Sequence, residues 1–336
     1  MNIKSIVFTI FVFLAIAVAL LYYFITSPSS LIVKETPPKA ISILIASDLQ
    51  LSSVDGVKAG LKELGYQTDK DVTIKLYNPK GDRDLTVKMA QEIVSLKPDL
   101  IVTLSTSASS AVIDADKDAK IPLVFGDVGN FQQLGITDIR HPGGFMTGVV
   151  VDNVAVAPKR MELLKSLNPN MKTIGVLLNP KHVSYQDILK ASGEGAEKLD
   201  IKLLWYEISA KEDIAKAMAK LVKEKPDAVM TTSEALISNN PSLITPILRT
   251  AKIPSMDFNV EVGVQAGYLM VYGISRFDIG KQSSRIIDKV LKGEDPGSIP
   301  IEFASTPSFE INKVLADEMG IDIPEFLLLQ ANKVYR

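Results

Sequence analysis

Residues 97–109 read KPDLIVTLSTSAS, and residues 225–235 read KPDAVMTTSEA, so one pattern occurs twice in the chain. In each copy an apolar run follows the Lys-Pro-Asp tripeptide and ends in small hydroxyl residues. The first copy has five hydroxyl side chains within residues 103–109, and the second ends in three hydroxyls followed by Glu234. The two tripeptides are 128 residues apart, which indicates a duplicated unit far longer than a solenoid repeat.

Short apolar runs alternate with amphipathic segments on both sides of each copy. Strands separated by helices of ten or more residues predict a parallel sheet covered by helices. The same order restarts at residue 173, and the Ile-Pro pairs at 121–122 and 253–254 are 132 residues apart. Chance resemblance of two α/β halves is the alternative, which the matching order over about 90 residues disfavours. The predicted strands are 41–46, 72–78, 99–104, 121–128, 173–179, 201–208, 227–232 and 253–260, and the predicted helices are 54–66, 84–97, 107–118, 187–200, 212–225 and 278–292.

The hydroxyl residues mark the predicted ligand-binding edge. In open parallel sheets, ligands bind outside the carboxyl ends of the strands. Ser105, Thr106 and Ser107 lie where a predicted strand ends and a predicted helix begins. The first N–H groups of a helix are unpaired, and the helix dipole favours an anion at this end. The alternative is an ordinary N-cap, where Ser and Thr are preferred in any case.

Acidic residues follow several of the predicted strands. Asp127, Glu234 and Asp257 lie at strand ends, and Asp48 follows the first strand. Each could receive a ligand ammonium, or could equally cap a helix or stand as a solvated rim charge. The complete set of predicted solute-binding residues is Ser47, Asp48, Ser105, Thr106, Ser107, Asp127, Asn130, Ser233, Glu234, Asp257 and Tyr272, the last as an apolar wall.

Composition and motifs exclude several classes of protein. A chain of 336 residues suits about two domains, and its net charge of −2 gives no basic field for nucleic acid. The absence of cysteine removes disulfides, thiolate metal sites and a Cys nucleophile, and two histidines make a His-rich metal site improbable. Since no dinucleotide-binding, Walker A or nucleophile-elbow motif occurs, we expect neither an enzyme nor a cofactor.

The N-terminus differs from the rest of the chain. Residues 5–26 carry no charge, and as a helix they span about 33 Å, enough for a bilayer core. Tyr22, Tyr23 and Phe24 occupy positions where a signal-peptidase site needs small residues, so an uncleaved anchor with its N-terminus inside is favoured over a cleaved signal peptide. Three prolines and three serines in residues 27–40 indicate an extended tether.

From residue 41 onward the sequence resembles ABC transporter substrate-binding proteins, and within them the group of tryptophan- and tyrosine-binding (TrpX-type) receptors. Each matching phrase is weak alone, and the order and spacing of all of them carry the resemblance. The phrases are KPDLIVTLSTSASSAV (97–112), IPLVFGDV (121–128), HPGGFMTGV (141–149), GYLMVYGISRFDIGKQSSRIIDKVLKGEDPGSIPIE (267–302) and FEINKVLADEMGIDIPEFLLLQANKVYR (309–336).

The resemblance implies two doubly wound parallel-sheet lobes of the periplasmic-binding-protein type I fold, joined by a hinge that closes on a solute. A membrane helix is expected to precede the two lobes. We expect residues 1–30 to form the anchor and residues 31–40 the tether, with 41–151 and 274–301 in the first lobe and 152–273 and 302–336 in the second. The crossings between lobes are expected near 149–153, 272–275 and 301–305.

The resemblance also implies a function. We expect a monomeric, membrane-anchored extracytoplasmic receptor that delivers a small, amino-acid-like solute to an ABC permease and its ATPase. Two alternatives stay open: a sensory module for a membrane signalling partner, and a receptor for a sugar or other neutral solute. An aromatic content of 7% gives the sugar site little support, because such a site needs stacked rings.

The chain departs from the family pattern at two places. Many relatives have Thr-Asp-Pro after the fourth strand of the first lobe, whereas here Val128 is followed by Gly129, Asn130 and Phe131, with the acid at Asp127. The apolar N-terminal segment also lacks the lipid-anchor cysteine of many relatives. A transmembrane tether would likewise hold the receptor near its membrane.

Overall fold

The computed structural model describes residue 2 and residues 11–12, 14–19, 21–22, 37–152, 154–182, 184–232, 234–304 and 307–336. The chain forms two compact units, Met1–Pro37 and Pro38–Arg336. The described residues between 11 and 22 are helical and exposed. Among all described residues, no helix has both the length and the apolar character that a bilayer crossing requires. Most of the predicted anchor helix (5–26), together with tether residues 31–36, lies outside the described residues.

The second unit alternates strands and helices over its whole length. Its described strands are β1 (Lys39–Ile45), β2 (Val72–Tyr77), β3 (Leu100–Leu104), β4 (Leu123–Val128), β5 (Met146–Val150), β6 (Thr173–Leu178), β7 (Lys202–Glu207), β8 (Ala228–Thr231), β9 (Ser255–Asp257), β10 (Met270–Ile274), β11 (Glu302–Phe303), β12 (Pro307–Asn312) and β13 (Lys333–Tyr335). Its described α-helices are α1 (Leu51–Glu63), α2 (Arg83–Leu96), α3 (Thr106–Ala115), α4 (Ala157–Leu167), α5 (Tyr185–Lys198), α6 (Asp213–Glu224), α7 (Ala235–Ser238), α8 (Thr245–Ala251), α9 (Arg276–Leu291), α10 (Lys313–Met319) and α11 (Glu325–Gln330). Short 3-10 turns occupy Asp48–Gln50, Phe131–Leu134, Pro241–Leu243 and Pro296–Ser298.

These strands form two sheets, which are the cores of two lobes. The first has the order β11-β5-β4-β3-β1-β2, and all its pairings are parallel. The second has the order β13-β12-β10-β9-β8-β6-β7, in which only the β10–β12 pairing of the described strands is antiparallel. Helices cover both faces, so central strands such as β3 are buried throughout. The predicted two-lobed, doubly wound α/β fold is therefore confirmed.

The chain passes between the sheets at three places: from β5 to α4, from β10 to α9, and from β11 to β12. These are the regions where the sequence predicts crossings. One boundary differs: Glu302 and Phe303 pair with Val149 and Val150 of β5, so they belong to the first sheet rather than the second. A strand of two residues is too short to show a periodicity in the sequence.

The Lys-Pro-Asp tripeptide has the same local role in both lobes. Lys97 (φ 48°) and Lys225 (φ 49°) adopt the left-handed conformation that ends α2 and α6, directly before a proline that cannot continue a helix. Asp99 then accepts a backbone N–H at the start of β1, and Asp227 accepts two at the start of β6. Each tripeptide thus ends a helix. Its aspartate, just before the next strand, binds the backbone at the start of the first strand of that lobe.

Helix α9 returns to the first lobe and packs closely on α1. A Cβ atom at Gly280 would lie 1.9 Å from the carbonyl oxygen of Ser53, and one at Gly56 would lie 2.0 Å from that of Phe277. Only glycine permits two helix backbones to approach so closely. This contact anchors the segment that follows the second crossing and therefore positions Arg276 at the start of α9.

Candidate functional site

A cavity of about 470 Å³ lies between the two lobes, at the carboxyl ends of the strands of both sheets. This is the edge at which an open parallel sheet binds its ligands. A groove of about 550 Å³ between α1 and α9 is larger, but residues of these two helices supply most of its lining, which contains none of the predicted binding residues. The interlobe cavity is lined by Ala46, Ser47, Leu49, Gln50, Ser105, Thr106, Ser107, Asp127, Gly129, Asn130, Gln133, Val151, Asp152, Val154, Ala157, Arg160, His182, Ser184, Ile188, Ser192, Met230, Thr231, Thr232, Glu234, Ser238, Phe258 and Arg276.

In the first lobe, hydroxyl side chains surround the N-terminus of α3. Ser105 is the N-cap, and its Oγ accepts the N–H of Ala108 at 3.1 Å. Ser109 turns inward, where its Oγ lies 2.8 Å from Thr103 Oγ1. Thr106 and Ser107 instead face the cavity. The hydroxyl cluster thus divides into a buried pair that joins strand to helix and a group open to a ligand.

Asp127, the penultimate residue of β4, adopts the left-handed conformation (φ 51°) and forms the centre of a charged group. Its Oδ2 accepts Nε of Arg276 at 3.3 Å, and Arg276 Nη1 lies 3.4 Å from Glu261 Oε2 in the second lobe. The backbone N–H of Arg276 also donates to Glu261. Burial raises the pKa of the Asp127 carboxyl, while Arg276 acts to lower it and Glu261 adds to the rise. Arg276 thereby joins the two lobes at one end of the cavity.

In the second lobe, a carboxylate occupies the position that corresponds to the first lobe's hydroxyls. Glu234 Oε1 accepts the N–H of Ile237 at 2.7 Å, and Oε2 accepts the N–H of Leu236 at 3.3 Å and Asn179 Nδ2 at 3.2 Å. His182 stands nearby, and burial lowers its pKa while Glu234 acts to raise it. Its Nδ1 accepts the N–H of Ser184, which assigns the ring proton of the neutral form to Nε2.

Arg160, on α4, is 2% exposed and lines the second-lobe wall of the cavity. Its Nε donates to the Tyr272 carbonyl oxygen at 2.7 Å, and its guanidinium carbon lies 5.8 Å from the centre of the Phe258 ring. Its Nη2 is buried and has no hydrogen-bond acceptor among the described residues. Burial lowers the pKa of Arg160 to about 10, a value at which the side chain is still cationic at neutral pH.

The cavity brings together seven of the eleven sequence-predicted residues, and three others that the structure describes lie outside its lining. Asp48 is exposed and accepts Asn78 Nδ2 at 2.6 Å. Asp257 is buried behind Thr231, whose hydroxyl donates to it; burial raises its pKa, and Thr231 and Arg160 act to lower it. Tyr272 packs edge-on against Phe309, with ring centres 6.5 Å apart. Ser233 lies outside the described residues. The lining residues are Ser47, Ser105, Thr106, Ser107, Asp127, Asn130 and Glu234.

Sequence reasoning did not select Arg160, Arg276 or His182. The first two lie in helices, where an arginine usually marks a solvated face, and His182 lies in a loop beyond β6. For Arg276 and His182 the available signal was a position soon after a predicted crossing or strand end, whereas Arg160 had no such signal. Among the described residues, no three His, Asp or Glu side chains are grouped closely enough to hold a metal ion.

The chain is similar to proteins that bind aromatic amino acids. It is 27% identical over 285 residues, 83% of this chain and 81% of the relative, to the tyrosine-binding protein of Clostridioides difficile (strain R20291). It is 28% identical to the ABC domain from Streptococcus pneumonia crystallised in complex with L-Trp, with a TM-score of 0.74 over 88% of this chain and 100% of the other.

A conserved domain protein from Vibrio cholerae is 25% identical, with a TM-score of 0.77 over 88% of this chain and 99% of the other. A glucose-galactose binding protein from Geobacillus stearothermophilus, at 14% identity and a TM-score of 0.59 over 82% of this chain and 97% of the other, shares the fold alone. The profile of the family described as ABC transporter substrate binding protein matches residues 39–335. That span takes in both sheets and the cavity between them, and the chain therefore belongs to the ABC transporter substrate-binding proteins.

Proposed function

We propose that this chain is the extracytoplasmic receptor of an ABC importer and that its solute is an amino acid with a large apolar side chain, bound as a zwitterion in the interlobe cavity. The observation that carries the proposal is the pairing of opposite charges in that cavity. Its lining holds three carboxylates, Asp127, Asp152 and Glu234, and two guanidinium groups, Arg160 and Arg276. A neutral sugar needs neither, whereas a buried zwitterion needs both.

The carboxylate of the solute is assigned to the first lobe's edge. The open N–H groups at the start of α3, aided by its dipole, accept an anion, and Thr106 and Ser107 add hydroxyl donors. The ammonium is assigned to Asp127 or Glu234, which approach the cavity from opposite lobes. Both are proposals that rest on the position of these residues in the lining.

The remaining lining suits an apolar side chain. Leu49, Val151, Val154, Ile188 and Phe258 contribute apolar surface from both lobes. A volume of about 470 Å³ falls within the usual range for a small-molecule site. The two relatives named for tyrosine and L-Trp support a solute of this size and polarity.

Membership of the ABC transporter substrate-binding family supports delivery of the solute to a membrane permease. Closure of the lobes on the solute would present a surface that an open receptor lacks, and the solute favours closure only by its higher affinity for the closed state. The uncharged residues 5–26 would hold the receptor at the membrane as a signal anchor, facing outward.

The test is calorimetric titration of the full-length chain in a mild detergent with L-tyrosine, L-tryptophan, N-acetyl-L-tyrosine and glucose. We expect binding of at least one of the two amino acids, at least about 10-fold weaker binding of the acetylated analogue because its nitrogen carries no charge, and no binding of glucose. Glucose binding, or an acetylated analogue as tight as the amino acid, would contradict the zwitterion site.

A matched pair of variants tests the location of the site. Ser107→Ala removes a hydroxyl from the lining and should weaken amino-acid binding by up to about 10-fold. Ser95→Ala removes an exposed hydroxyl from α2 of the same lobe, where Ser95 Oγ donates to the Glu92 carbonyl oxygen, and should leave affinity unchanged. Equal effects of the two substitutions would place the solute elsewhere.

A further inference from the structure

The two arginines of the cavity differ in what they contact. Arg276 lies between Asp127 and Glu261, so its charge is already compensated on two sides. Arg160 has a single hydrogen-bond acceptor among the described residues, the Tyr272 carbonyl oxygen. Arg160 is therefore the arginine of the cavity that can still donate a hydrogen bond to an anion.

Asp257 does not accept a hydrogen bond from Arg160 among the described contacts. Its carboxylate accepts the hydroxyl of Thr231 and the N–H of Asn259, the latter at 3.2 Å, and among the described residues it forms no hydrogen bond to Arg160. It compensates the charge of Arg160 through space but leaves Nη2 of Arg160 without an acceptor among the described residues.

A buried guanidinium with unfilled donors is unfavourable, because the N–H groups have lost water and gained nothing in return. The planar fork of a guanidinium matches the two oxygens of a carboxylate. Arg160 lies in the wall of the interlobe cavity, beside the space that a solute would occupy.

We propose that Arg160 is the second lobe's anchor for the carboxylate of the solute, which the N-terminus of α3 receives from the first lobe. This inference rests on the proposed function. Since Arg160 and α3 belong to different lobes, both contacts form together only when the lobes close. The carboxylate is thereby the group that gives the solute its higher affinity for the closed state.

The test compares L-tyrosine with L-tyrosinamide, which keeps the ammonium and the ring but replaces the carboxylate with a neutral amide. Calorimetric titration, with displacement for the weaker ligand, uses the full-length chain in detergent, with L-tryptophan and L-tryptophanamide as a second pair. Wild-type protein should prefer the acid over the amide by on the order of 100-fold. In Arg160→Gln the preference should fall below about 10-fold, because the acid loses affinity and the amide does not.

Two further variants test whether the change in acid-over-amide preference comes from the loss of the Arg160 guanidinium group. Arg160→Lys retains a buried cation without the fork, so its acid-over-amide preference should be intermediate even if the glutamine variant fails to fold. Arg249→Gln is the control, since Arg249 is exposed on α8, pairs with Glu318 at 2.6 Å and lies outside the cavity. Its preference should equal that of wild type.

The outcomes separate the two claims. If the variants at Arg160 weaken acid and amide equally, or keep the wild-type preference, Arg160 has only a structural role and the inference is overturned while the proposed function stands. If wild-type protein binds neither L-tyrosine nor L-tryptophan, the proposed function is overturned, and the inference with it.

Discussion

The two lobes share one scaffold but complete its ligand-facing edge differently. In the first lobe, Ser105 caps a ten-residue helix with a hydroxyl, and the next two hydroxyls face the cavity. In the second lobe, Glu234 caps a four-residue helix with a carboxylate whose oxygens already accept three donors. The first edge can accept an anion from a ligand, while the second carries its own.

The acids at the fourth strands show the same divergence. Asp127 contacts Arg276 directly, whereas Asp257 is held by Thr231 and influences Arg160 only through space. The residues that order the backbone thus match in the two lobes, whereas the residues near the cavity differ.

The largest effect is expected from Arg276→Gln, which removes the cation between the lobes. Asp127 would remain buried without its partner, and breaking such a pair costs about 3 kcal/mol of unfolding free energy, measurable by urea denaturation. The pKa of Asp127 is already raised in the folded protein, so its ionised form is the unfavourable one. The loss should therefore be greatest at pH 8 and shrink as Asp127 becomes protonated at lower pH.

Two further variants test whether the unpaired charge of Asp127 causes this loss of stability. Asp127→Asn in the Arg276→Gln background removes the unpaired charge and should recover most of the stability. Arg285 is exposed, and its Nη2 lies 3.6 Å from Glu302 Oε2. Arg285→Gln should therefore change the free energy of unfolding by no more than about 0.5 kcal/mol. A pH-independent loss in Arg276→Gln would show that its charge is not what joins the lobes.

Next in size is a pair of glycine substitutions on helices of opposite lobes. Gly280→Ala places a methyl group 1.9 Å from a carbonyl oxygen of α1 and should cost about 1–3 kcal/mol. Gly193→Ala on α5 meets open space and should gain up to about 1 kcal/mol from helix propensity. Thermal denaturation of both variants measures the contrast, and a neutral Gly280→Ala would mean that α9 is free to move away from α1.

The aspartates of the repeated tripeptide should give intermediate effects of about 1–2 kcal/mol. Asp227→Ala should cost more than Asp99→Ala, because Asp227 accepts two backbone N–H groups and the Thr173 hydroxyl, whereas Asp99 accepts one backbone N–H and Lys39. Urea denaturation of the two variants measures this order. The reverse order would show that the two copies no longer have the same local role.

The pH dependence of these two variants has a definite sign. The hydrogen bonds lower the pKa of both carboxyls in the folded protein, and burial opposes the shift. A lowered folded pKa gives stability that is present above the unfolded value of about 3.9 and is lost as the pH falls through the folded value. The difference between each variant and wild type should therefore narrow below about pH 4. A constant difference down to pH 2 would contradict it.

The smallest effect is expected from Ser105→Ala, which removes the cap of α3 and should cost about 1 kcal/mol of stability. Ser184→Ala is the matched control, since Ser184 precedes α5 without a side-chain capping bond and should cost less. Denaturant unfolding of both variants measures the cap separately from ligand binding. Equal losses would remove the distinction between a capped and an uncapped edge.

Most strands and helices could be predicted from the sequence to within about three residues. Burial on both faces produces continuous apolar runs, and burial on one face of a helix produces a 3.6-residue period, so both signals are local. The hydroxyl residues of the first edge are local in the same way, since they follow a strand directly. Arg160 carries no such signal, because its acceptor at Tyr272 is 112 residues away.

The two α/β lobes, the repeated strand anchor and the hydroxyl-rich strand ends of the cavity can be recognised in the sequence, because periodicity and capping act over a few residues. Which charges meet depends instead on the tertiary structure. Asp127 and Arg276 are 149 residues apart, and their contact depends on both the crossing after β10 and the packing of α9 on α1. That long-range geometry neutralises one arginine and leaves the other facing the cavity.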